Sequence, residues 1–147
     1  MFRGTSFHTI DAKGRLIIPS RFRDVIMESG ENLMVSRLDG MLVAYTAGVW
    51  NSIENRILTK AQKSDAMRSF RRFFIGGVQE CARDKQERIL IPPPLREYAG
   101  LKKDVVLIGV TDHFEILSRA NWDNENKTWE DISKQEDVRN EIAGLGL

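Results

Sequence analysis

Two five-residue stretches carry residue types at a spacing that can do chemistry: Asp11-Ala12-Lys13-Gly14-Arg15 and Asp84-Lys85-Gln86-Glu87-Arg88. An aspartate four residues ahead of an arginine can accept backbone N–H groups across a tight turn and pair with the guanidinium. In the first stretch Gly14 tolerates positive φ and leaves Lys13 and Arg15 together at the tip of a turn between strands. Such a tip can enter the major groove of double-stranded DNA, where arginine pairs bidentately with guanine O6 and N7 and lysine meets phosphate. Asp11 then orients the turn. A second reading is purely structural: Asp11 and Arg15 form a local ion pair that holds the turn, and the residues alone leave both readings open. The second stretch lacks the glycine and sets Glu87 beside Arg88, an acid that repels phosphate and competes for the guanidinium. Its expected role is mainly structural, with Asp84 orienting the turn and Arg88 a weaker contact.

Other cations stand in reserve. Arg68, Arg71 and Arg72 fall on one side of a helix predicted over 64–75, opposite Met67, Phe70, Phe73 and Phe74. They suit phosphate contact, a solvent face or a salt-bridged subunit interface. Arg3, beside the first strand, is a further phosphate candidate; Arg21 and Arg23, near the start of a short helix after the turn, either supplement it or are plain surface charge. His8 and His113 have no serine, cysteine or acid at triad or metal spacing, and Cys81 reads as a small buried hydrophobe. No phosphate-cradling loop, metal-spaced cluster or nucleophile elbow is present, so the expectation is a protein that is not an enzyme and needs no cofactor.

The elements that position these turns come in two copies. Residues 11–24 recur 73 positions later as 84–97, with aspartate, arginine, three aliphatics, proline, an apolar residue, arginine and an acid in register. Further along, at an offset of 72, Leu33-Met34-Val35 matches Val105-Val106-Leu107 and Trp50 matches Trp122. Each copy reads as β-β-α-β-β closed by a helix. Strands are expected over 6–10 and 15–18 (78–83 and 88–91 in the second copy), joined by the turn as a hairpin. Proline opens a helix over 19–28 (92–99), and a further strand pair follows over 33–36 and 42–46 (105–110 and 114–117). Closing helices start near Val49 and Asn121, with Trp50 and Trp122 expected in the core, and 135–147 reads as a weakly ordered tail. This divides the chain into modules 5–47 and 77–120, linking helices over 48–76, and a C-terminal helix and tail over 121–147.

A module of some 45 residues buries too little apolar surface to be stable alone. Two copies sharing one core by pseudo-twofold symmetry solve the problem, which predicts an α+β protein with interleaved strands in a barrel or sandwich and helices outside. Composition agrees with a globular chain: 147 residues, 41% hydrophobic and 29% charged. No apolar run reaches the ~20 residues of a membrane span, and the first residues lack the apolar segment of a secretion signal, so a cytoplasmic location is expected. The net charge of +1 hides an asymmetry. Residues 1–75 hold 12 Lys+Arg against 7 Asp+Glu, a net +5, whereas 76–147 hold 10 against 14, a net −4. The basic half is the one with the Lys13-Gly14-Arg15 tip.

The opening Met1-Phe2-Arg3-Gly4, the two D-x-x-x-R turns running into aliphatic residues and proline, and the junction Arg71-Arg72-Phe73-Phe74-Ile75-Gly76-Gly77 together resemble the MraZ family, across nearly the whole chain. The resemblance implies two pseudo-symmetric AbrB-like modules in a double-split β-α-β, swapped-hairpin-like barrel. It also implies ring-shaped homo-oligomers, and a DNA-binding, nucleoid-associated transcription regulator acting on short direct repeats upstream of a cell-division and cell-wall operon. With it, Arg15, Lys13, Gly14 and Arg3 become the favoured DNA-binding residues, with Arg21, Arg71, Arg72 and Arg88 behind them. The alternative is a protein-interaction or antitoxin-like module using the same fold without specific operator binding.

Overall fold

Strand alternation, proline and turn residues lay out the two copies one after the other in the computed structural model, which describes residues 1–60 and 64–147. The first copy runs β1 (Phe2–Thr9), β2 (Arg15–Ile17), α1 (Ser20–Ser29), β3 (Leu33–Leu38), β4 (Met41–Thr46), α2 (Ala47–Lys60) and α3 (Asp65–Gly76). The second runs β5 (Gln79–Cys81), β6 (Arg88–Leu90), α4 (Pro93–Ala99), β7 (Asp104–Thr111), β8 (His113–Ser118), α5 (Arg119–Ile132) and α6 (Glu136–Gly144). The chain is α+β, as its sequence implies. Strands β3 and β4 form a true hairpin, because Asp39 and Gly40, at φ 54° and 78°, supply the two left-handed residues of a two-residue loop between Leu38 and Met41.

The expected β1–β2 hairpin does not form. A single bridge, Ile10 to Leu16, joins the two segments before they part. Strand β1 pairs along its whole length with β7 of the other copy, and β2 pairs with β6, also of the other copy. The reason lies in the side chains: Leu16 and Ile89 are fully buried beneath the β2–β6 ribbon, and each strand by itself has only three residues to bury. Pairing across the copies brings both to one core. The six remaining strands form one antiparallel sheet in the order β1-β7-β8-β4-β3-β5. Exchanging each strand for its repeat equivalent reverses that order onto itself, so the local twofold passes between β4 and β8 and through the ribbon.

The sheet has two covered faces. On one, Phe2, Leu33, Val35, Leu42, Ala44, Val105, Leu107, Phe114 and Ile116 meet Leu16, Ile18, Ile89 and Ile91 of the ribbon segments. Phe22 and Ile26 of α1, and Leu95 and Ala99 of α4, join the same core. On the other face Val43 and Tyr45 pack against Trp50 of α2 and Phe74 of α3, while α5 lies over β7 and β8.

Two expectations about the C-terminal part change. Trp122 is only half-buried, unlike Trp50, because α6 contributes no buried side chain that would cover it. Residues 136–144, read as part of a loose tail, are helical, with Glu136 and Asp137 favourably placed in the first turn against the helix dipole. Cys81 is buried, as expected.

Candidate nucleic-acid interface

Each D-x-x-x-R turn is built by its aspartate. Asp11 Oδ1 accepts the N–H groups of Lys13 (3.0 Å) and Arg15 (2.8 Å), and its Oδ2 accepts Arg15 Nε at 2.6 Å. Asp84 repeats the pattern with Gln86 N, Arg88 N and Arg88 Nε, each at 2.9 Å. Hydrogen bonds from the backbone N–H of Arg15, foremost, and the guanidinium hold the Asp11 carboxyl below its ordinary 3.8; Arg88 does the same to Asp84. The local ion pair anticipated as a structural reading is therefore present in both turns. It does not consume the arginines. Only Nε is engaged, and among the described residues the terminal amino groups of Arg15 and Arg88 make no hydrogen bond within the protein, so they remain available to a fork-shaped acceptor.

The ribbon brings the two turns together. In register, Arg15 faces Leu90 and Ile17 faces Arg88, while Leu16 and Ile89 between them point into the core. Arg15, Ile17, Arg88 and Leu90 thus share one outward face, with the turns at its opposite ends and the exposed Lys13 and Lys85 at the tips. The turns are locked to the ribbon by exchange: Ile91 N–H donates to Gly14 O at 2.8 Å, and Ile18 N–H to Glu87 O at 2.9 Å. Gly14 is enclosed. At φ 90°, an added Cβ would sit 2.6 Å from Ile91 O and 2.7 Å from Arg96 Nε, so this residue shapes the turn rather than presenting a surface. Its counterpart Glu87 adopts φ 61° and ion-pairs with Arg83.

The other sequence candidates lie elsewhere. Arg21 is tied down, donating to Arg3 O (3.0 Å) and Ser6 Oγ (2.9 Å) while stacking 4.4 Å over Phe22; Arg3 is exposed. Arg68, Arg71 and Arg72 line a depression with Leu58 and Ile75 between α2 and α3, and Arg68 also pairs with Asp65. The six-stranded sheet stands between that depression and the ribbon, so the two basic features do not share a face. His8 lies 2.6 Å from Ser6 Oγ and His113 contacts Asp112 and Glu115, neighbours that the sequence spacing did not suggest. Among the described residues no group of three His, Cys, Asp or Glu is placed to hold a metal ion.

The duplicated turn-and-ribbon unit has a counterpart among known families. The family model described as "MraZ protein, putative antitoxin-like" matches twice, at residues 1–73 and 74–142, one match for each copy. The chain belongs to the MraZ family. It is 55% identical to the transcriptional regulator MraZ of Desulforapulum autotrophicum and 53% identical to that of Desulfosudis oleivorans, in both cases over the full length of each chain. The transcriptional regulator MraZ of Syntrophobacter fumaroxidans is 42% identical over 99% of this chain and 97% of its own. No described helix of this MraZ-family chain is long and apolar enough to cross a membrane.

Sequence reasoning missed part of the site in this MraZ-family chain. Arg23, read as a supplement to the turn or as surface charge, and Arg96, 73 positions on, are half-buried, and the Nε atom of each is enclosed without a hydrogen-bond partner among the described residues. Arg96 lies against Gly14. The signal was the repeat itself, since an arginine that recurs in register beside two turns is more than loose surface charge. Ile17 and Leu90 were also missed, each the middle of a three-residue aliphatic run that gives no sign of which member faces out.

Proposed function

We propose that this chain is a sequence-specific DNA-binding transcription regulator whose ribbon face, bracketed by the two D-x-x-x-R turns, enters the major groove. The observation that carries the reading is the pairing of β2 with β6, which sets Arg15 and Arg88 on one exposed face with Lys13 and Lys85 at its ends. A two-stranded ribbon fits that groove, guanine O6 and N7 suit the unpaired guanidinium amino groups, and lysines at the tips suit phosphate. Arg15 and Lys13 are the principal contacts. Arg88 supplements them, and Gly14, Asp11 and Asp84 hold the turns. Arg3 and Arg21 are weaker phosphate contacts, whereas Arg71 and Arg72, behind the sheet, fit a duplex on this face poorly.

The finer parts of the reading follow the family. They are the AbrB-like double-split β-α-β, swapped-hairpin-like barrel, which the cross-copy pairing supports, a ring-shaped homo-oligomer on the nucleoid, and short direct repeats upstream of the division and cell-wall operon. One small ribbon per subunit gives few base contacts, so several subunits engaging successive repeats would supply affinity by avidity.

The test is a mobility-shift titration of wild type and Arg15→Ala on the DNA upstream of its own gene, with a sizing column for both. Wild-type binding over competitor DNA, lost in a variant of unchanged size, supports the reading. Equal binding by both makes Arg15 structural, and no binding by either favours the interaction-module alternative.

A further inference from the structure

Two aliphatic side chains on the ribbon have no structural task. Ile17 is 53% exposed and Leu90 54%, although each neighbours a fully buried residue, Leu16 or Ile89, that already anchors its strand. Single exposed aliphatics need no explanation. These two differ in occupying pseudo-equivalent places, 73 positions apart, each directly across the ribbon from one of the turn arginines. The backbone cannot rotate them inward, since that would expose Leu16 and Ile89 and break the Ile18–Glu87 and Ile91–Gly14 hydrogen bonds.

We propose that Ile17 and Leu90 read the C5-methyl groups of thymine, the apolar feature that the major groove displays beside the acceptors sought by Arg15 and Arg88. This rests on the DNA-binding reading and adds a base to it. The face is an apolar centre between cations: Arg15 and Arg88 beside it, Lys13 and Lys85 at its ends, with Asp11 and Asp84 bonded to the arginines and Glu87 to Arg83, while on its outer side Ile17 shares a shallow depression with Phe7, Asp104 and Arg119, whose charges offset. A cationic rim around a small aliphatic patch complements a polyanion that carries methyl groups, and disfavours an uncharged or basic protein surface. Directly opposed residues on a ribbon, here Arg15 with Leu90 and Arg88 with Ile17, stand about 4.5–5.5 Å apart. That span falls between one and two base-pair steps of ~3.4 Å each. Arginine then selects guanine and the aliphatic beside it selects an adjacent thymine over cytosine, which has no methyl group.

The experiment compares full-length wild type, Ile17→Ala/Leu90→Ala and Arg15→Ala by anisotropy titration on the DNA upstream of its own gene, synthesised with thymine or with uracil throughout. Uracil keeps the base pairing and deletes only the methyl group. At roughly 0.8 kcal/mol per buried carbon, wild type should bind thymine DNA about fourfold more tightly for one contacted methyl and about fifteenfold for two. The double variant, altered at exposed sites and checked by circular dichroism and sizing, should bind both DNAs alike, near the wild-type uracil level. Equal wild-type affinity for both DNAs, while Arg15→Ala still binds about tenfold or more weakly, overturns the methyl contact and leaves the DNA reading standing. A thymine preference that survives in the double variant places the methyl contact elsewhere and overturns the assignment. A double variant that keeps its fold but changes oligomer size shows that the face packs against a second copy, which also overturns it. Absence of any wild-type preference for this DNA over competitor removes both readings together.

Discussion

Trp50 and Trp122 occupy matching places in the two copies, yet their surroundings differ. Trp50 is 2% exposed, packs with its ring centroid 5.2 Å from that of Phe74 and donates from Nε1 to Glu54 at 2.8 Å. Trp122 is half-buried, and farther along its helix Trp129 and Ile132 are exposed. The difference comes from the following helix. In α3, Phe70, Phe73 and Phe74 fold back over the sheet; α6, the last helix of the second copy, contributes no buried side chain. Duplication therefore supplied two matching strands to one ribbon but only one completed outer core. The first copy holds the molecule together on that side, and the second is free to present an acidic, partly apolar helix pair to solvent.

The largest expected effect tests this directly. Trp50→Ala opens a cavity in a packed cluster and should cost about 4 kcal/mol, whereas Trp122→Ala should cost about 1 kcal/mol. Urea midpoints of the two variants measure both. Losses of equal size would mean that the second outer core is as complete as the first.

A second contrast lies in the turns. Gly14 and Glu87 fill the same place, both at positive φ (90° and 61°), but Gly14 is pressed against Ile91 O and Arg96 while Glu87 keeps a side chain that reaches Arg83. Gly14→Ala combines left-handed strain with overlap and should destabilise by about 3 kcal/mol. Glu87→Gly relieves strain and loses an ion pair, and should stay within about 1 kcal/mol of wild type. If thermal unfolding shows Gly14→Ala to be as mild as Glu87→Gly, the enclosure of the first turn is not what sets the two apart.

How much of this was legible in the sequence follows from what each signal encodes. The repeat, the Asp39-Gly40 loop and the proline-led helices rest on local residue types, and all appear where those types predict. The partner of β2 does not, because alternation tells which face of a strand is buried and not which strand lies alongside. The residues 11–18 looked like a hairpin until β6, 73 residues away, took the place of β1. The same gap concealed Trp122, whose helix carries Glu125 where the first has Ile53 and whose cover depends on another helix. In the site, the Asp–Arg pairs were readable from their i, i+4 spacing. The exposure of Ile17 and Leu90 was not, since Leu16-Ile17-Ile18 reads equally well as a strand buried on both faces.

The third contrast concerns the arginines, equal in geometry and unequal in neighbours. Arg15→Ala should weaken binding to the upstream DNA by about ten- to a hundredfold, the worth of one bidentate base contact. Arg88→Ala, beside Glu87, should weaken it less than about tenfold, and Glu87→Gln should strengthen wild-type binding by removing a negative charge near phosphate. Each phosphate contact also adds about 0.9 to the slope of log K against log salt. Equal losses from the two arginines, with no gain from Glu87→Gln, would make the ribbon functionally as well as geometrically symmetric.

The smallest effect asks where the two turns are the same. Asp11 and Asp84 are both held below 3.8 by the same donors, the arginine backbone N–H first and then the lesser hydrogen bonds and the guanidinium. A carboxyl whose folded-state pKa is depressed adds stability that is present above its unfolded value and disappears as pH falls through the folded one. The window is therefore acidic, below about 3.8, and both turns should be intact at neutral pH. Carboxyl-carbon NMR titration should give both aspartates midpoints under 3.8, and Asp11→Asn and Asp84→Asn should each be less stable than wild type at pH 7 by an amount that shrinks as pH drops toward 2. Both carboxylates are solvent-accessible, so the changes will be modest, but they should match. A normal midpoint for Asp84 beside a depressed one for Asp11 would show that the second turn is loosely held in solution, and Arg88 would then lose the fixed position that its place on the ribbon face requires.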